Sequence, residues 1–133
     1  MPRVAWLLQS DYPVIQLQLW DPATGHVANR TVLADTGAGP NNSPIELFLS
    51  DCQRFGKRRT NIVTIGGAIT GTFSSYSMWI EIPPLSVVRR VRVVAVPPSE
   101  FPIGLDGIAS FRFLNRFTYG NFGDPNQFGL ETP

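Results

Sequence analysis

Apolar and polar residues alternate along several stretches of this chain, and that two-residue period constrains the fold more than any other feature. Over Pro13–Trp20, Ile15, Leu17 and Leu19 fall on one face while Gln16 and Gln18 fall on the other. That is the pattern of a half-buried β-strand. Met78, Ile80 and Ile82 alternate in the same way with Trp79 and Glu81 within Thr72–Ile82. Val87–Val96 is a further strand, with Arg89, Arg90 and Arg92 at partly exposed positions and Val93–Val96 at a buried end. The 12 glycines and 12 prolines among 133 residues exceed ordinary usage and cut the chain into short pieces. A bundle of long helices is thereby excluded, and one domain over residues 1–133, with its core at about 13–131, is expected.

Between these strands the punctuation predicts turns and two short helices. Trp20-Asp21-Pro22-Ala23-Thr24-Gly25 joins the first strand to a second at Val27–Ala34, as a hairpin. Ser43, Pro44 and Glu46 read as a capping box with Pro at the first helical position. The helix they open would carry Ile45, Phe48, Leu49, Cys52 and Phe55 inward and stop at Gly56. Arg54, Lys57, Arg58 and Arg59 would then sit at its solvated C-terminal end. Two extended arms, Ile62–Ile65 and Thr72–Ile82, flank a Gly-rich tip. Asp106 reads as the N-cap of a second helix over Gly107–Phe117, with Ile108, Phe111, Phe113, Leu114 and Phe117 as core. Gln127–Glu131 is a short extended piece near the end. The layout is mostly β with two short helices, a closed barrel or a sandwich.

Composition removes several classes of function. Eleven basic and ten acidic residues leave a net charge of +1, which gives no support for binding nucleic acid or a membrane surface. One cysteine, Cys52, excludes an internal disulfide, and with the one histidine, His26, it excludes a Cys/His zinc site. Cys52 reads as a small core residue and His26 as a surface turn residue; no metal and no cofactor are expected. No run approaches the roughly 20 apolar residues that span a bilayer. The apolar stretch near Met1 is shorter than a signal-peptide core, so a cytoplasmic location is expected.

The segment with chemistry in it is Val32-Leu33-Ala34-Asp35-Thr36-Gly37-Ala38. An apolar strand delivers Asp35 to its end, and Gly37, Ala38 and Gly39 then force a turn poor in side chains. Such an acid sits at the wall of a core, where its surroundings can tune it for catalysis. An Asp that merely ends a strand and starts a turn fits the same residues.

Leu33-Ala34-Asp35-Thr36-Gly37-Ala38 resembles the active-site strand of the retropepsin-like aspartic proteases. Ile65-Gly66-Gly67-Ala68-Ile69-Thr70-Gly71 resembles that family's glycine-rich flap. Ile103-Gly104-Leu105-Asp106-Gly107 resembles the apolar-Gly element before its C-terminal helix. The resemblance covers roughly residues 14–117. It implies a retropepsin-like closed β-barrel, half of an acid protease, and peptide hydrolysis by two carboxylates that share one proton. One Asp-Thr-Gly per chain implies a homodimer that pairs two copies of Asp35. Thr36, Gly37 and Ala38 would brace the site, Thr36 across the two-fold axis and Gly37 through its N–H. Ile65, Gly66, Gly67 and Ala68 would close over a peptide or protein substrate, and Ile103 and Gly104 would lie structurally close to the site.

The chain departs from the family at two places. Gly39 stands where viral members carry Asp or Ser, and Pro102 precedes Ile103 where two apolar residues are usual. These departures keep open a second reading, a non-catalytic retropepsin-fold module that binds peptide or mediates dimeric interaction. A third takes residues 37–43 as an anion-binding nest before the expected helix, but it lacks the Lys of a phosphate loop and lies beside Asp35.

Overall fold

The alternating pattern of residues 13–34 folds as expected: β2 (Val14–Trp20) and β3 (Val27–Ala34) form an antiparallel hairpin in which Val14 pairs with Leu33 and Trp20 with Val27. The computed structural model describes residues 2–50, 52, 55–65 and 69–133, with the backbone alone for 59–65. Before the hairpin comes β1 (Arg3–Leu7). After it come β4 (Leu47–Leu49), β5 (Lys57–Ile65), β6 (Gly71–Ile82), β7 (Val87–Ala95), β8 (Gly107–Ala109), β9 (Thr118–Gly120) and β10 (Gln127–Glu131). One α-helix, α1 (Phe111–Leu114), follows β8.

Six of these strands close on themselves in the order β2-β3-β8-β4-β7-β6, and β6 returns to β2 through the pairs Gln18–Glu81, Leu19–Ile80 and Trp20–Trp79. The protein is therefore mostly β and built on a closed six-strand barrel. β5 extends this sheet beyond β6, and β1, β10 and β9 form a separate three-stranded sheet. Two pairings are parallel, β3 with β8 and β4 with β7, while β4 and β8 run antiparallel.

Closure gives every inward side chain the same destination. Ile15, Leu17 and Leu19 of β2 meet Met78, Ile80 and Ile82 of β6, Val91 and Val93 of β7, and Phe113 and Leu114 of α1, all at most 2% exposed. Each large side chain sealed in this way contributes about 1.5–3 kcal/mol. Gly107 is required where β8 crosses β4: a Cβ there would overlap the Phe48 carbonyl oxygen and lie 2.6 Å from Leu49 Cδ2.

Several expectations are corrected. The expected helix over 43–55 is not formed by its described residues, 43–50, 52 and 55; 51, 53 and 54 lie outside the described residues. Ser43 Oγ accepts the Ile45 N–H at 3.2 Å in a local turn, and the chain then extends as β4, which burial of Leu47 and Leu49 inside the barrel demands. Lys57 and Arg58 open β5 rather than ending a helix; Arg54 lies outside the described residues. The second helix is only α1, because Gly107-Ile108-Ala109 is claimed as a strand by β3 and β4. Its N-cap is Ser110, whose Oγ accepts the Phe113 N–H, not Asp106. One short α-helix thus stands among the described residues where two were expected. Arg89, Arg90 and Arg92 are each at least partly exposed, as expected, but alternation places Arg89 on the same side of β7 as Val91 and Val93. Its guanidinium lies 5.4 Å from the Phe117 ring centroid, with Nη1 buried. Burial, and then the like charge of Arg116, lower its pKa below the ordinary value.

The smaller readings hold. Cys52 is fully buried, its thiol 3.7 Å from the Leu49 carbonyl oxygen. His26 is exposed in the β2–β3 turn and stacks on Phe55 at 5.8 Å. Among the described residues no helix is long and apolar enough to cross a membrane.

Candidate active site

β3 carries its last residues into the barrel wall, where parallel pairing sets Val32 opposite Gly107, Leu33 opposite Ile108 and Ala34 opposite Ala109. Asp106 extends this ladder with its side chain. Its carboxylate accepts the Thr31 N–H at 2.9 Å, and its own N–H donates to the Thr31 carbonyl at 2.8 Å. Asp35, the first residue past β3, is still held from the same side, donating its N–H to the Ala109 carbonyl at 3.1 Å.

The chain turns immediately afterwards. Ala38 donates to the Asp35 carbonyl at 3.1 Å, and the Gly37 N–H donates to Asp35 Oδ1 at 3.0 Å. A Cβ on residue 37 would stand 3.4 Å from that same oxygen, so glycine leaves the carboxylate uncrowded. Gly39 takes a φ of +77°, a conformation that L side chains rarely adopt, which gives position 39 a backbone role. The far end of the turn is tied to the helix start, where Phe111 donates to the Ala38 carbonyl at 3.1 Å. Asp35 is half-buried; Thr36 and Gly37 are exposed. The Thr36 hydroxyl has no hydrogen-bond partner among the described residues, and no side-chain bond joins Asp35 to another titratable group there.

The expected flap begins at Ile65, the last residue of β5, which pairs with Gly71 of β6. Gly66, Gly67 and Ala68 lie outside the described residues. Beyond them, Ile69 and Phe73 pack against a second, smaller apolar cluster of Ile45, Val94, Val96, Phe101 and Ile108. Leu33 and Ala38, which flank Asp35, pack against this same cluster. The hairpin and the Asp35 turn therefore meet on one apolar base.

Ile103 and Gly104 occupy a turn instead. Leu105 donates to the Pro102 carbonyl at 3.1 Å, Gly104 has a φ of +86°, and the Gly104 carbonyl accepts from Gln9 Nε2 at 3.0 Å. Ile103 is 99% exposed. The segment that supports Asp35 lies further along, at Gly107–Ala109 and Ser110. Sequence reasoning passed over Ser110 because it set the helix start at Asp106, although a Ser directly before the Phe111–Leu114 period is itself a capping signal. Ser110 is 2% exposed, and its Oγ donates to the Ile45 carbonyl at 2.9 Å.

Glu46 was assigned to a helix cap and does different work. Its carbonyl accepts the Ser110 N–H at 3.0 Å, and its N–H donates to the Arg92 carbonyl at 3.0 Å. Its buried carboxylate lies 2.8 Å from Arg116 Nη2, an ion pair off the hydrogen-bond line. Glu46 thereby joins β7, the β4 lead-in and the helix in one polar knot.

Among the described residues no group of three or more His, Cys, Asp or Glu side chains gathers to hold a metal ion. A half-buried carboxylate, oriented by one backbone N–H at a strand end, can accept a hydrogen bond from a bound water. No protein-family model, no curated protein and no solved structure matches this chain.

Proposed function

We propose that the chain is a retropepsin-like aspartic endopeptidase, which hydrolyses peptide bonds with a water held between Asp35 and its copy in a homodimer. One observation carries this reading: the Asp35 turn and the hairpin that resembles a flap share an apolar base, through Leu33 and Ala38 on one side and Ile69 and Phe73 on the other. An apolar surface made by those residues would suit apolar side chains of a peptide bound in extended form.

Two copies are needed because one chain holds one Asp-Thr-Gly. Two carboxylates about 3 Å apart share a proton; the protonated one polarises the scissile carbonyl and the ionised one takes a proton from water. The Gly37 N–H on Oδ1 sets the orientation of each carboxylate. Thr36, exposed and with its hydroxyl unused among the described residues, is available to bond across the two-fold axis. Gly66 and Gly67 would supply mobility and backbone donors above the peptide.

Digestion of a mixed peptide library tests this directly. Wild-type protein is expected to cleave on the acid side of neutral and to be blocked by pepstatin, and Asp35→Asn is expected to stay folded without cleaving. Cleavage that rises steadily above neutral pH, or an active Asp35→Asn, overturns the mechanism. Sedimentation of a strict monomer with full activity overturns the shared site. The positive φ of Gly39 favours a second reading, because a residue there serves the backbone rather than a substrate contact. On that reading the dimer binds peptide on the same apolar surface, and wild type and Asp35→Asn bind equally without hydrolysis.

A further inference from the structure

The outward face of β7 and the end of α1 border a groove of about 430 Å3. Four guanidinium groups line it, from Arg90 and Arg92 of β7 and from Arg112 and Arg116 at the helix, together with Ser77 and a single carboxylate, Glu46. Its lining is thus strongly cationic in a chain whose net charge is only +1.

Among the described residues, only one of the four arginines is neutralised by a carboxylate, and two others are held by neutral acceptors. Arg90 Nε donates to Ser77 Oγ at 2.8 Å, and Arg112 Nη1 donates to the Asn41 carbonyl at 2.8 Å. Arg116 is paired with Glu46 at 2.8 Å. Arg92 has no side-chain acceptor among the described residues. One carboxylate therefore faces four cations, and most of the guanidinium donors are unspent. Neutral contacts fix one edge of Arg90 and of Arg112, which lowers the entropy cost of using the remaining N–H groups on a ligand. A carboxylate presents two oxygens and one charge. A phosphate group presents three acceptor oxygens and up to two charges, so one phosphate can meet several guanidinium forks at once.

We propose that this groove binds a small phosphate-bearing anion, held by Arg92, Arg90 and Arg112 while the Glu46–Arg116 pair fixes its inner wall. The groove's lining does not include Asp35, and the proposal does not rest on proteolytic activity. The size fits a small molecule, within the roughly 300–1,000 Å3 usual for ligand pockets.

Calorimetric titration of the full chain with pyrophosphate, at ionic strength held constant with sodium chloride, tests the proposal. Saturable one-site binding is expected. Arg92→Ala and, separately, the exposed-strand variant Arg90→Ala should each weaken it by roughly tenfold or more, the loss of a charge-assisted hydrogen bond. Arg92→Lys should recover part of that loss, and Lys57→Ala, a charge removed elsewhere, should change nothing. Heat of dilution alone overturns the proposal, as does equal weakening by Lys57→Ala, which would reduce the effect to screening. Citrate binding as tightly as pyrophosphate overturns the phosphate assignment. Sedimentation with phosphatidic acid vesicles that pyrophosphate fails to reverse overturns it in favour of a lipid surface.

Discussion

The two apolar clusters are built on opposite faces of the same strands. From β3, Val32 and Ala34 enter the barrel core while Leu33 turns to the smaller cluster. From β4, Leu47 and Leu49 go inward and Phe48 outward; from β8, Ala109 goes inward and Ile108 outward. Yet the two faces end differently. The barrel core is the larger, with Phe113, Ile15 and Leu47 at 0% exposure, whereas the smaller cluster of Ile45, Val94, Val96, Phe101 and Ile108 is bordered by the partly buried Leu33, Ala38, Phe48, Ile69 and Phe73. Strand alternation thus divides the apolar residues: one face fills the barrel, and the other forms a smaller cluster beside the Asp35 turn.

Substitutions on the two faces separate these roles. The largest effect is expected where both faces depend on one backbone contact. Gly107→Ala drives a methyl into β4 and should leave no cooperatively folding protein, judged by circular dichroism and thermal melting. Phe113→Ala, in the barrel core, should cost about 3–5 kcal/mol in urea unfolding. Ser110→Ala removes a buried hydrogen bond and a helix cap together and should cost about 1–2 kcal/mol. Phe73→Ala, on the smaller cluster, should cost clearly less stability than Phe113→Ala and, on the proposed protease reading, raise KM for peptide cleavage. Equal destabilisation by the two phenylalanine variants would erase the distinction between the faces.

The smallest effect lies outside both clusters. In the β2–β3 turn, Asp21 accepts the Ala23 N–H and the Thr24 hydroxyl, each at 2.9 Å. These bonds, the Ala23 one foremost, lower its pKa below the ordinary 3.8. The resulting stabilisation is present above that ordinary value and is lost as pH falls through the lower folded-state value. Asp21→Ala should therefore melt slightly below wild type at neutral pH and coincide with it in strong acid. The exposed turn keeps this difference small.

Where partners are close in sequence, the fold was legible. The β2–β3 hairpin, the β5–β6 pair and β7 follow from alternation and from Gly and Pro between them. β1 and β9 went unseen because both pair with β10, and nothing in Arg3–Leu7 announces a partner at Gln127–Glu131. β4 was misread for a physical reason: Ile45, Phe48, Leu49 and Cys52 satisfy a helical period, while Leu47 and Leu49 equally satisfy a strand, and tertiary burial decides. At the candidate site, Asp35 and its glycine turn were visible as a strand followed by a backbone-only bend. Of its supports, Ala109 was hidden because three-residue β8 carries too few side chains to show a period, Ser110 because Asp106 was taken as the cap, and Glu46 because it fitted a capping box.

The parallel pairing of β3 with β8 joins residues 75 apart, as the Thr31–Asp106 bond spans. Synthesis proceeds at about 5–20 residues per second, so β3 leaves the ribosome seconds before its partner exists. Long-range pairing of this kind also folds slowly. Asp35 therefore lacks its β8 support on a nascent chain until residues 107–109 have been made.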